Sequence, residues 1–187
     1  MQETYRINIC GLERDLPVCP LHGNLYIAGF VMFGDVEMTE TCAAELLKRC
    51  PEHDLVLTAE SKGIPLAYEM ARQEKGKYLV ARKGLKLYMK NPISVEVQSI
   101  TTARLQTLYI DQADADRMKG RRILIVDDVI STGESLRAME KLVEAAGGVI
   151  VGRAAVLAEG DAAKRNDLVF LQELPLLVDE DAKGEEK

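Results

Sequence analysis

Ile123-Leu124-Ile125-Val126-Asp127-Asp128-Val129-Ile130-Ser131-Thr132-Gly133-Glu134-Ser135 holds two kinds of chemistry in one short stretch. Its first four residues are apolar without interruption, the pattern of a parallel strand buried on both faces. Such a strand delivers Asp127 and Asp128 to its carboxyl end, where open α/β sheets place their ligand crevice. Ser131 to Ser135 then lead into an apolar-periodic segment from Leu136 to Ala146, so their hydroxyls and free N–H groups stand at a helix N-terminus. Carboxylates accept hydrogen bonds from sugar hydroxyls, and such a helix start cradles a phosphate. Together they point to a ribose phosphate.

Outward from this stretch, strands alternate with helices, which predicts a central parallel sheet flanked by helices. Asp54 to Thr58 read as a buried strand, Ala59-Glu60-Ser61-Lys62-Gly63 as its loop, and Ile64 to Arg72 as a helix. Tyr78 to Ala81 form the next strand, ending at Arg82-Lys83-Gly84. Between residues 85 and 110 the pattern changes to polar-apolar alternation, the mark of a hairpin. Gly147-Gly148 turn into a strand from Val149 to about residue 158, and Leu168 to Leu171 form another. Thr39 is the expected cap of a helix through Cys50, with Ala43, Leu46 and Leu47 inward and Pro51 stopping it. Residues 1–34, punctuated by Pro17, Pro20, Gly11, Gly23 and Gly34, read as irregular. The charged tail from Asp179 to Lys187 reads as frayed.

Composition narrows the function. With 187 residues, 47% hydrophobic and 29% charged, the chain reads as one globular domain, residues 1–187. A net charge of -6 and a pI near 5.1 argue against a general nucleic-acid surface. No apolar run approaches the roughly 20 residues of a membrane span, and Met1 to Arg6 lack a signal-peptide core, so the expected setting is the cytoplasm without membrane attachment. Cysteines 10, 19, 42 and 50 show no Cys-x-x-Cys spacing. Cys19-Pro20-Leu21-His22 offers only half of a zinc site, so free thiols are expected and no residues are assigned to a metal.

The stretch from 123 to 135 resembles the phosphoribosyl-pyrophosphate (PRPP) signature of the type I phosphoribosyltransferases, in which a hydrophobic strand and two acids precede a Thr-Gly loop. The likeness covers roughly residues 25–178. It implies that Asp127 and Asp128 contact the ribose hydroxyls, directly or through metal-bound water, and that the run Val129, Ile130, Ser131, Thr132, Gly133, Glu134 and Ser135 wraps the 5′-phosphate. Many purine enzymes of the family have Gly where this chain has Glu134. The turn at 59–63 is similar to one that holds pyrophosphate in the adenine and xanthine branches, often through a strained or cis peptide. By that likeness Ser61, Lys62 and Gly63 grip the leaving group, with Arg82, Lys83 and Lys86 adding cations.

The implied fold adds a small hood built from residues 1–34 and about 168–178, and a flexible hairpin loop over 84–110. Phe30 and Phe33 stand where the hood would stack on a base, and equally suit the core. The implied reaction transfers the 5-phosphoribosyl group from PRPP, with Mg²⁺, to a purine, adenine foremost. The loop does not match the adenine branch, whose glutamate is replaced by Gln98-Ser99-Ile100-Thr101-Thr102. That segment looks nearer the xanthine enzymes, whereas Val169 to Pro175 resembles the adenine ones. Alternatives are a xanthine, hypoxanthine/guanine or orotate enzyme, or a non-catalytic PRPP sensor that regulates transcription. The family also implies a homodimer.

Overall fold

The computed structural model describes residues 3–98 and 105–179. In chain order the elements are β1 (Thr4–Ile9), β2 (Leu12–His22), β3 (Leu25–Ala28), α1 (Val36–Leu47), β4 (Leu55–Ala59), α2 (Ile64–Glu74), β5 (Tyr78–Ala81), β6 (Ile93–Gln98), β7 (Leu105–Ile110), α3 (Gln112–Met118), β8 (Arg122–Ile130), α4 (Glu134–Ala145), β9 (Val149–Glu159), β10 (Val169–Leu174) and β11 (Leu177–Val178).

β8 explains its own unbroken apolar run. It lies in the middle of a five-stranded parallel sheet ordered β10-β9-β8-β4-β5. Ile123 and Ile125 point into a cluster with Leu136, Met139 and Leu142 of α4, while Leu124 and Val126 point into a second cluster with Leu46 of α1 and Leu66 of α2. Both faces are therefore dry, and each such side chain contributes about 1.5–3 kcal/mol of burial. Among the described residues no helix is long and apolar enough to cross a membrane.

The N-terminal region departs from the irregular chain expected. β1, β2 and β3 form an antiparallel sheet with β11, in the order β1-β2-β3-β11. Pro17 sits at a changeover, where β2 stops pairing with β1 and Val18 begins pairing with β3. A proline is tolerated there because no continuous ladder needs its missing N–H. Of the C-terminal stretch assigned to the hood, only Leu177 and Val178 join this sheet. β10 pairs in parallel with β9 and belongs to the centre.

Two helix starts also differ. α1 begins at Asp35 rather than Thr39: the Asp35 carboxylate accepts the Met38 N–H at 3.1 Å, and Thr39 lies a turn inside, donating its hydroxyl to the Asp35 carbonyl. α3, which no apolar periodicity announced, is capped by Asp111 and buries Ala115 and Met118. β6 and β7 pair antiparallel as a hairpin. Residues 99–104 and those from 180 onward lie outside the described residues, which takes in the Ser99-to-Thr102 part of the segment compared above with the adenine-branch glutamate and the stretch expected to fray.

Candidate active site

Parallel strands place their outgoing loops on one edge. The carboxyl ends of β4, β5, β8 and β9 accordingly bring together the turn at 59–63, Arg82-Lys83, the Asp127-Asp128 pair and Glu159. β8 continues through both aspartates to Ile130, so the acids are held by a ladder rather than by a loop.

Asp128 is almost wholly buried, and the Lys62 ammonium lies 2.9 Å from its Oδ2. Lys62 also reaches the Phe30 carbonyl at 3.5 Å, which ties the crevice to the chain leaving the hood. Burial, reinforced by the neighbouring Asp128 carboxylate, pushes the Asp127 carboxyl well above the usual range, so the pair holds a proton more tightly than an isolated aspartate. Burial likewise raises Glu159, with Lys62 opposing it.

The turn after β4 has no room to spare. A Cβ on Gly63 would collide with the Thr58 hydroxyl and come within 2.7 Å of Asp127 Oδ1. The peptide bond between Glu60 and Ser61 is cis, a geometry the family resemblance leads one to expect at this turn. Ser61 and Lys62 are exposed at its crest.

Glu60 gathers the neighbouring cations. Its carboxylate lies 2.7 Å from Arg82 Nε, accepts the Lys83 backbone N–H at 2.6 Å, and stands 3.7 Å from Lys86 Nζ. Arg82, Lys83 and Lys86 are thus assembled around one acid to which the sequence alone assigns no role. The available signal was its place beside Ser61 and Lys62 in a strand-to-helix turn.

Residues 131–135 form a turn from β8 into the start of α4. Asp127 and residues 129–136 line one pocket at the start of α4, with Ser131 and Thr132 exposed on its rim. Gly133 caps the helix with φ at 74°, a conformation that favours glycine. Two long-range neighbours were not legible beforehand. Gln106 of β7 donates to the Ser135 hydroxyl at 3.2 Å. An Arg165 guanidinium nitrogen lies 3.5 Å from where a Gly133 Cβ would stand, while Arg165 itself pairs with Asp167 at 2.8 Å.

The two aromatic candidates separate. Phe30 is packed in the apolar cluster beneath the hood sheet, so its ring has no open face; Phe33 is half exposed. Among the described residues no cluster of three or more His, Cys, Asp or Glu side chains stands ready for a metal, and the four cysteines are free thiols.

Residues 38–181 match the model of the phosphoribosyl transferase domain. The chain is 34% identical over 146 residues to an adenine phosphoribosyltransferase of Acetivibrio thermocellus, covering 74% of this chain and 80% of that one. It is 31% identical over 132 residues to a hypoxanthine/guanine phosphoribosyltransferase of Methanocella paludicola, covering 70% and 65%. The adenine phosphoribosyltransferase structure from Saccharomyces cerevisiae shares the fold at a TM-score of 0.65 and 20% identity, over 90% of this chain and 93% of that one. With the acid pair, the capped helix start and the match across most of its length, the chain belongs to the phosphoribosyl transferase family.

Proposed function

We propose that the protein transfers the 5-phosphoribosyl group of PRPP to a purine, with adenine as the favoured acceptor. The observation that carries this is the meeting, on one sheet edge, of a carboxylate pair, a phosphate-sized helix start and a cation-bearing turn. Relatives named for adenine support the choice of base, and a relative named for hypoxanthine and guanine keeps the 6-oxopurines as the second reading.

Each group has one task in this reading. Asp127 and Asp128 accept hydrogen bonds from the ribose hydroxyls and so fix the sugar. The N–H and hydroxyl groups of Ser131, Thr132, Gly133, Glu134 and Ser135 hold the 5′-phosphate. Ser61, Lys62 and Gly63 hold the pyrophosphate from one side, and Arg82, Lys83 and Lys86 from the other. The bond from the ribose anomeric carbon to pyrophosphate breaks, a bond to a ring nitrogen of the base forms, and that nitrogen's proton leaves. Positive charge gathers on the ribose and negative charge on the departing pyrophosphate, so fixed cations around the latter lower the barrier.

The donor set fits Mg²⁺ carried in with PRPP. Mg²⁺ takes one or two protein carboxylates and completes its shell with phosphate oxygens and water. Asp127 and Asp128 offer hard oxygen donors of this kind, beside an ammonium that already answers their charge. When bound, the ion would add positive charge at the pyrophosphate. Phe33, exposed near the hood, is the remaining candidate to stack on the base. A homodimer is part of the proposal: Tyr68 packs edge-on to Tyr78, and Tyr68, Leu85, Leu87 and Tyr88 are largely exposed, apolar surface suited to a second copy.

The test is pyrophosphate release from PRPP and Mg²⁺ with adenine, guanine, hypoxanthine, xanthine or orotate in turn. Turnover with adenine first supports the proposal. PRPP binding without turnover on any of the five would overturn it in favour of a sensor.

A further inference from the structure

The opposite edge of the sheet carries a feature that the transfer reaction does not use. Asp54 and Leu55 at the start of β4, the turn Lys75-Gly76-Lys77 before β5, and the α3-to-β8 connection surround a groove of about 520 Å³. That size suits a small ligand, whose sites span roughly 300–1,000 Å³.

The charge of this groove opposes that of the chain. Lys75, Lys77, Lys119 and Arg121 line it, all are exposed, and none takes part in an ion pair among the described residues. Arg117 adds a fifth cation, shared with Asp114 at 2.7 Å. Over the whole chain acids outnumber bases, 30 to 24. Like charges around one concavity repel each other, and an anion seated between them offsets that repulsion.

The frame beneath is fixed. Arg122 N–H donates to Asp54 Oδ2 at 2.8 Å, Asp54 N–H donates to the Arg122 carbonyl at 2.8 Å, and Val56 N–H donates to the Lys77 carbonyl at 3.2 Å. Lys77 and Arg121 therefore stand directly before the hydrogen-bonded starts of β5 and β8, while Lys75 and Lys119 stand at the ends of α2 and α3. Acids border the groove on several sides: Glu74 lines the adjoining pocket, Asp114 holds Arg117, and Glu52 holds Arg122. Such a border confines the positive field to the groove, which suits a compact anion and disfavours a long polynucleotide.

We infer that this groove is a second phosphate site, separate from the crevice, that takes a small phosphorylated anion of the nucleotide class. Its multiple cations match several phosphate oxygens at once, and Asp54 and Asp116 at its wall can accept from sugar or base donors.

Calorimetric titration tests this with ATP, AMP and inorganic phosphate as probes, in the absence of divalent metal. The titrations use the full chain with Lys62→Ala and Arg82→Ala, which weakens anion binding in the crevice, and compare it with the same chain also carrying Lys77→Ala and Arg121→Ala. Saturable ATP binding that weakens about tenfold or more on removing the two groove cations is expected, since each exposed contact is worth somewhat under 1 kcal/mol and tenfold is 1.4. Tighter binding of ATP than of phosphate is expected, and phosphate binding as tightly as ATP would overturn the nucleotide assignment. Equal affinity in both chains, no saturation by any probe, or displacement of ATP by a short RNA at lower concentration would each overturn the inference. The two groove substitutions that distinguish the chains, Lys77→Ala and Arg121→Ala, are at exposed positions, and an unchanged melting temperature between them confirms that the comparison is between folded chains.

Discussion

At Gly63 the absence of one carbon lets the turn after β4 lie against the acid pair of β8. Gly63→Ala forces a Cβ between the Thr58 hydroxyl and Asp127 Oδ1, both on rigid strands. The expected cost is about 1–3 kcal/mol of stability, as for other overpacked sites. The turn must move away from Asp127, so PRPP affinity falls by more than stability alone explains. Calorimetry of PRPP binding beside a thermal melt checks both; unchanged affinity would remove Gly63 from the site. The same scale shows what sequence could disclose. Asp127, Asp128 and the 131–135 run were legible because strand, acids and helix start are consecutive. The pairing of Lys62 with Asp128, and the hydrogen bond from Gln106 to Ser135, join residues far apart in the chain, and no local pattern encodes such contacts.

Among elements, the short connection from β5 depends on an acid in another loop. Glu60 holds Arg82, the Lys83 N–H and Lys86 together, so Glu60→Gln leaves cations with a weaker organiser. Steady-state kinetics should show the KM for PRPP rising about tenfold, the scale of one charge-assisted hydrogen bond, with a smaller change in KM for the base. Equal effects on both substrates would argue against a pyrophosphate role for this group. The hood has its own latch: Arg14 of β2 donates to Asp35 at 2.7 and 3.1 Å, at the cap of α1. That hydrogen bond holds the Asp35 carboxyl below its ordinary 3.8. The latch therefore stabilises the fold above that value and is lost as pH falls through the lowered folded one. Asp35→Asn keeps a cap but loses the charge, costing about 1 kcal/mol at neutral pH and progressively less as the pH falls through the lowered folded value. Melts of both chains across this range measure it, and a gap that widened in acid would refute the latch. Central strands were readable because β4, β5 and β8 are short apolar runs between breakers. The hood strands were not, because Pro17 and Pro20 imitate a loop and the alternation in β1 buries only Ile7 and Ile9. α3 was hidden by the acids at 111, 114 and 116, which outnumber its two buried residues.

For the whole molecule, the exposed surface around Tyr68, Leu85, Leu87 and Tyr88 lies on α2 and on the segment after β5, which follow the turn at 59–63 and Arg82. Joining two copies there would stiffen both. Sedimentation of the wild type should give a dimer, and Leu87→Asp with Tyr88→Asp a monomer with weakened turnover; a monomeric wild type would sink the proposed assembly. One last property follows from the hood's construction. Its sheet is stitched from both ends of the chain, with Leu177 opposite Tyr26 and Val178 opposite Leu25. During synthesis β1, β2 and β3 leave the ribosome long before β11 is made. A chain cut short before Leu177 would leave β3 as the unpaired edge of a three-stranded sheet, open to pairing with another chain.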